Sequence, residues 1–63
     1  MIKFTAPDGK PVWIVGQWVT LVRATLSGEP GNTHIVIGGN AQNVNETLDE
    51  VVAMLKNERP PSF

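Results

Sequence analysis

The hydrophobic period of this chain changes once, and that change limits the folds open to it. Up to Val44, short apolar runs alternate with Gly, Asn and Asp turns, the two-residue period of strands. Val44-Asn45-Glu46-Thr47 then leads into a stretch with the 3.6-residue period of an amphipathic helix. The order strands-then-helix predicts an α+β fold: a small, curled antiparallel sheet of four or five strands followed by one C-terminal helix. Residues 1–57 form a single small domain in this reading, and residues 58–63 a flexible tail that begins just ahead of Pro60-Pro61.

The strands follow from local chemistry. Ile2 and Phe4 alternate with Lys3 and Thr5. Ala6-Pro7-Asp8-Gly9-Lys10 is a turn, because Pro7 presets φ and Gly9 can take a positive one. Pro11 lacks an N–H, which puts the start of the second strand at Val12, and Val12-Trp13-Ile14-Val15 has strand composition. Gly16-Gln17 interrupts the run, and a bulge or a bend at Gly16 lets one twisted sheet curl over itself, as small barrels do. Residues 18–26 give the longest strand candidate, with Trp18, Thr20, Val22, Ala24 and Leu26 as its core face. After the Ser27–Asn32 loop, Thr33, Ile35 and Ile37 point inward. Gly38-Gly39-Asn40 is a hairpin turn, and Ala41–Val44 a short, polar edge strand.

The helix is marked most clearly. Thr47-Leu48-Asp49-Glu50 matches a capping box, and Glu46, Asp49 and Glu50 sit at the positive end of the helix dipole. Leu48, Val51, Val52 and Leu55 recur at i, i+3, i+4 and i+7 as one inward stripe.

Little here points to chemistry. The chain has 63 residues, no Cys and one His, which excludes disulfides and thiolate metal sites. His34 has no Cys or Ser near it in sequence and reads as an ordinary strand residue. The acidic group at Glu46, Asp49 and Glu50 is explained by capping. Gly38-Gly39-Asn40 lacks the spacing of a phosphate-binding loop. Asn45-Glu46-Thr47 matches a glycosylation sequon but reads as the helix entry, since no secretory signal fits the N-terminus. No enzyme activity, cofactor or metal is expected. A formal charge of −1 argues against a general nucleic-acid binder, which needs clustered Lys and Arg. The apolar-rich run from Val12 to Leu26 contains Gln17 and Arg23 and is too short to span a bilayer. The expectation is a soluble cytoplasmic protein with no membrane insertion.

The two indoles stand out in so small a chain. A chain of this length buries only roughly 60% of its unfolded surface, and without crosslinks its common support is a second copy. Trp13 and Val15 lie on the strand face opposite Val12 and Ile14, so both faces are apolar. Core packing is the simpler reading of Trp18; core and subunit interface both stay open for Trp13. Trp13, Val15 and Trp18 are therefore the candidate interface, with a homo-oligomer as the expected assembly. A sheet that sets these indoles beside Lys3, Lys10 and Arg23 on one face is the alternative, a single-stranded nucleic-acid binder.

Taken together, Ile2, Thr5, the Asp8-Gly9 turn, the apolar run after Pro11, Gly38-Gly39-Asn40, Val44 and Thr47-Leu48-Asp49-Glu50-Val51-Val52 resemble the FlbD family of small flagellar and swarming-motility proteins. The resemblance spans roughly residues 2–56. It departs at the longer Ser27–Asn32 connection and at Gly16-Gln17-Trp18, where the family has an Asn-Pro-like step. It implies a non-enzymatic bacterial accessory role at the flagellar motor or in its regulation. It carries over no functional residue, because the matching positions make turns, strands and a cap.

Overall fold

The computed structural model describes residues 1–58. Ile2 and Phe4 are buried where alternation puts them, on strand β1 (Ile2–Thr5), which pairs antiparallel with β2 (Pro11–Ile14). The connecting turn closes with the Gly9 N–H donating to the Ala6 carbonyl (2.8 Å) and the Lys10 N–H to Asp8 Oδ1 (3.0 Å). Strand β2 begins at Pro11 rather than Val12, opposite Thr5. A proline is tolerated at the first residue of a strand.

The expected single curled sheet is instead two sheets. After β2 the chain enters a 3-10 turn at Gly16–Trp18, closed by the Trp18 N–H on the Val15 carbonyl (3.0 Å), and this turn takes the place of a bend within one strand. The turn redirects the backbone, so β2 and β3 (Val19–Ala24) belong to different ladders. Strand β3 pairs with β4 (Thr33–Ile37), and β4 with β5 (Asn40–Val44), in the order β3-β4-β5. The polar β5 is an edge of this sheet, as its composition predicts.

The core face expected on residues 18–26 is corrected. Trp18 is in the turn, 64% exposed, and Thr20, Ala24 and Leu26 are exposed too. The register shifts between Val19 and Leu21, so that Val19 and Val22, three residues apart, both pack on the core. A bulge changes which residues face inward, and strict alternation does not foresee it. Strand β4 needs no correction: Thr33 and Ile35 are fully buried, and Ile37 packs against the core. The β4–β5 hairpin turns on Gly38-Gly39, with positive φ (59°) at Gly38. Gly31, in the long loop, is required twice over. Its φ is +76°, and a Cβ there would stand 2.7 Å from the Val44 carbonyl oxygen.

Helix α1 (Leu48–Glu58) starts on the expected box. The Thr47 N–H donates to Glu50 Oε1 (3.0 Å), and the Glu50 N–H to Thr47 Oγ1 (3.3 Å). The bonds from the Thr47 N–H and hydroxyl hold the Glu50 carboxyl below its ordinary range. The inward stripe is rotated from the expected one. Val51 is fully buried, Met54 and Leu55 pack beside it, and Val52 is exposed. With Val51 at its centre the buried arc takes in Met54 and Leu55, whereas Val52 lies one residue, about 100° of rotation, away. The helix runs one residue past the expected domain limit at 57, and the expected tail from 59 onward lies outside the described residues.

Ile2, Phe4, Ile14, Ile35, Val44 and Val51 form one core shared by both sheets and the helix. What joins the sheets is the segment Asn45-Glu46. The Asn45 N–H donates to the Thr5 carbonyl (2.7 Å), and its side-chain amide to the Ala6 carbonyl (3.0 Å). The Glu46 carboxylate accepts the Thr5 N–H at both oxygens (2.9 and 3.1 Å) and the Thr5 hydroxyl (3.1 Å). Buried Thr33 donates its hydroxyl to the Glu46 carbonyl (2.7 Å).

Two stability predictions follow from this packing. In urea titrations Val51→Ala is expected to cost about 2 kcal/mol from lost methyl burial and the resulting cavity, Thr47→Ala about 1 kcal/mol, and Val52→Ala under about 0.5 kcal/mol. A Val52→Ala loss as large as that of Val51→Ala would contradict the rotated stripe. Glu46→Ala strands the Thr5 N–H and is expected to cost about 2 kcal/mol, more than Glu46→Gln, which keeps an acceptor. Equal midpoints for Glu46→Ala and the wild type would show that the sheets are joined by other means.

Candidate functional site

Strand β2 divides its side chains between the core and the outside. Val12 packs on the core and Ile14 is buried; Trp13 faces away, 58% exposed. The 3-10 turn then carries Trp18 outward on the same flank. Between this flank and the start of β5 the two sheets part. The opening is a cleft of about 420 Å³ lined by Trp13, Trp18, Val15, Ile37, Ala41 and Met1, among others. Asn40 and Gln42 supply polar side chains, and among the described residues no charged side chain lines it. The three candidate residues, Trp13, Val15 and Trp18, are thus brought to one place, with Trp18 outside the core that the simpler reading assigned it.

Strand register adds a feature that alternation alone does not show. Lys3 lies directly across from Trp13 on the exposed face of the β1–β2 hairpin. Lys10 is in the turn, and Arg23 belongs to the other sheet. The three cations named with the indoles are therefore not gathered on one surface.

Arg23 is committed to another group. It forms a two-pronged ion pair with Glu29 (2.9 and 3.2 Å) and also donates to the Ala24 carbonyl (3.1 Å). Glu29 in turn accepts the Leu26 N–H (2.6 Å). The Arg23 guanidinium, with that N–H, holds the Glu29 carboxyl down at about 2 and is itself raised by the pairing. Arg23, His34 and Asn43 stand in register across β3, β4 and β5. The Asn43 side-chain N–H donates to the Pro30 carbonyl (2.9 Å), which turns its Oδ1 toward His34 Nδ1 at 2.6 Å. That orientation assigns the hydrogen to Nδ1. The whole group ties the 25–32 loop to the sheet, and His34 acts there as a structural donor.

The carboxylates near the helix start are also occupied. Glu46 holds Thr5 and Glu50 holds Thr47. Among the described residues no group of three or more His, Asp or Glu converges as a metal site, and no helix is long and apolar enough to cross a membrane. Sequence reasoning missed the Glu46–Thr5 contact, which joins residues 41 apart, and local patterning carries no signal for it. The Arg23–Glu29 pair, six residues apart, had opposite charges as its only signal.

No family model matches the chain, and no curated protein or solved structure matches it significantly.

The loop clamp makes a pH prediction. The Glu29 carboxyl is depressed in the folded state, so its contribution is present above the unfolded carboxylate range of about 4.3. That contribution is lost as pH falls through the folded value of about 2. A carboxyl-carbon NMR titration should therefore place the Glu29 midpoint well below those of exposed glutamates. A midpoint among theirs would show that the clamp is open in solution.

Proposed function

We propose that the chain is a small, non-enzymatic protein-interaction module that self-associates through the cleft at Trp13, Val15 and Trp18. The observation that supports this is the pair of indoles, each more than half exposed, on an apolar opening that no charged side chain lines among the described residues. Large aromatic anchors in desolvated pockets carry much of the binding energy at protein interfaces. A 63-residue chain has little core to spare for side chains of that size on its surface. The cellular setting in this reading is a cytoplasmic bacterial assembly, a motility accessory role of the kind the FlbD resemblance implies. The positions carrying that resemblance act here in turns, strands and the helix cap.

Sedimentation equilibrium across the micromolar range tests the proposal. The wild type should associate, and Trp13→Ala or Trp18→Ala should weaken association about 30-fold, the equivalent of a 2 kcal/mol hot spot. A wild type that stays monomeric throughout, or variants that associate as it does, would refute it.

A second reading is favoured by one specific observation, the placement of Lys3 across from Trp13. Stacking aromatics beside cations are what a single-stranded nucleic-acid binder uses. Indole fluorescence quenched by an oligonucleotide at low salt, and relieved by added salt, is its expected signature. Unchanged fluorescence eliminates it.

A further inference from the structure

Three of the four sheet edges carry a cover. On β1 the Thr5 N–H and C=O face away from β2 and are bonded by Glu46 and Asn45. On β3 the Ala24 carbonyl accepts the Arg23 guanidinium, and on β5 the Asn43 carbonyl accepts the Gln42 side-chain amide. Strand β2 differs. Because the Thr5 groups face away from β2, those of Lys3 do too, and those of Trp13, paired with Lys3, face away from β1. The Trp13 N–H and C=O have no hydrogen-bond partner among the described residues. Val12, Trp13 and Ile14 line the cleft in succession, and successive side chains take opposite faces, so the cleft runs along this edge. We infer that the occupant of the edge is β2 of a second copy, antiparallel, with Trp13 opposite Trp13 on a two-fold axis. The inference rests on the self-association reading and names the contact that makes it.

What selects a second copy is a pair of matching gaps on either side of Trp13. Pro11 turns a carbonyl to this edge and has no N–H. Val15, extended at φ −81° and ψ 108°, turns an N–H to it, while its carbonyl is already taken by the Trp18 N–H (3.0 Å). A two-fold axis at Trp13 sets Pro11 of each copy against Val15 of the other. Each Val15 N–H then meets a Pro11 carbonyl, and the missing donor falls opposite the carbonyl that needs none. The two Trp13 residues exchange a pair of bonds at the centre. A strand of ordinary sequence on this edge would leave its own carbonyl unpaired opposite Pro11 and its own N–H unpaired opposite Val15. Across the outer face the row reads Lys3, Trp13, Trp13, Lys3. The indoles are cross-strand neighbours, and the two lysines stand three strand spacings apart, about 14 Å, beyond the screening length of about 10 Å at 0.1 M salt. On the inner face Val12 of each copy lies opposite Ile14 of the other, which extends both cores. Such a contact is isologous and closes at a dimer.

The wild-type chain tests this by NMR, in a mixture of isotope-labelled and unlabelled molecules at a concentration where sedimentation shows association. A cross-peak between the α-protons of Val12 and Ile14 should arise between molecules; along one strand the two residues stand about 6.6 Å apart, too far for a strong one. Val15→Pro removes the N–H that the contact needs. The φ there is already close to that of proline, and the preceding Ile14 is in a strand, so the monomer accepts the change. Val15→Pro should weaken association at least about 10-fold, as two bonds are lost per dimer, whereas Val15→Thr keeps the N–H and should associate as the wild type does. Unchanged Ile35 and Val51 signals verify the fold of both variants, and the wild-type cross-peak decides alone if Val15→Pro does not fold. Association without that cross-peak, or equal association of Val15→Pro and Val15→Thr, would overturn the edge pairing and leave self-association through the cleft intact. A wild type that stays monomeric across the micromolar range would refute both.

Discussion

The Glu46 carboxylate lies where the three parts of this chain meet. It accepts the N–H and hydroxyl of Thr5 at the end of β1, its own carbonyl accepts the buried Thr33 hydroxyl of β4, and the next residue caps α1. A strand end would leave the Thr5 N–H without a ladder partner, and burying such a donor unpaired costs about 1–3 kcal/mol. One side chain satisfies it across 41 residues of sequence. The neighbouring Asn45 adds the backbone bond to Thr5 and the side-chain bond to Ala6. Beside this junction, the two-stranded hairpin and the three-stranded sheet share apolar contacts through Phe4, Ile35, Val44 and Val51.

The same junction explains why a cleft exists. The sheets are drawn together at the Thr5–Asn45 end, and the 3-10 turn at Gly16–Trp18 keeps β2 out of the second ladder. They diverge at the other end, where the opening is flanked by indoles and by the start of edge strand β5. Helix α1 covers the core through Val51, Met54 and Leu55 and does not reach this flank with its buried stripe. The apolar surface left over is therefore a consequence of how few elements this short chain has, and it is concentrated in one place.

Much of the fold was legible in sequence because it rests on local rules. The alternation of Ile2 and Phe4, the Asp8-Gly9 turn, the inward set Thr33–Ile35–Ile37 and the Thr47–Glu50 box are all set by neighbours within four residues. What escaped depends on distant contacts or on shifts of register. Gly16-Gln17 marks a break in the apolar run, but nothing local says that the break is a 3-10 turn that takes in Trp18 and divides the sheet. The bulge between Val19 and Leu21 is set by pairing with β4, and Val52 lost its place in the stripe to Met54 because of where the sheet lies. The candidate residues Trp13, Val15 and Trp18 were found by their surplus of apolar surface. Their gathering into one cleft depends on the separation of the two sheets, which no period in the sequence encodes.

Native-state hydrogen exchange at single residues tests the junction most directly. If Glu46 and Asn45 hold the sheets together, the Thr5 and Asn45 amides exchange only through global unfolding. They should then be as slow as Val51, whose N–H bonds the Thr47 carbonyl beneath the core. Exchange at Thr5 and Asn45 orders of magnitude faster than at Val51 would mean that the two sheets part while the rest stays folded, and the junction would not be what holds the fold.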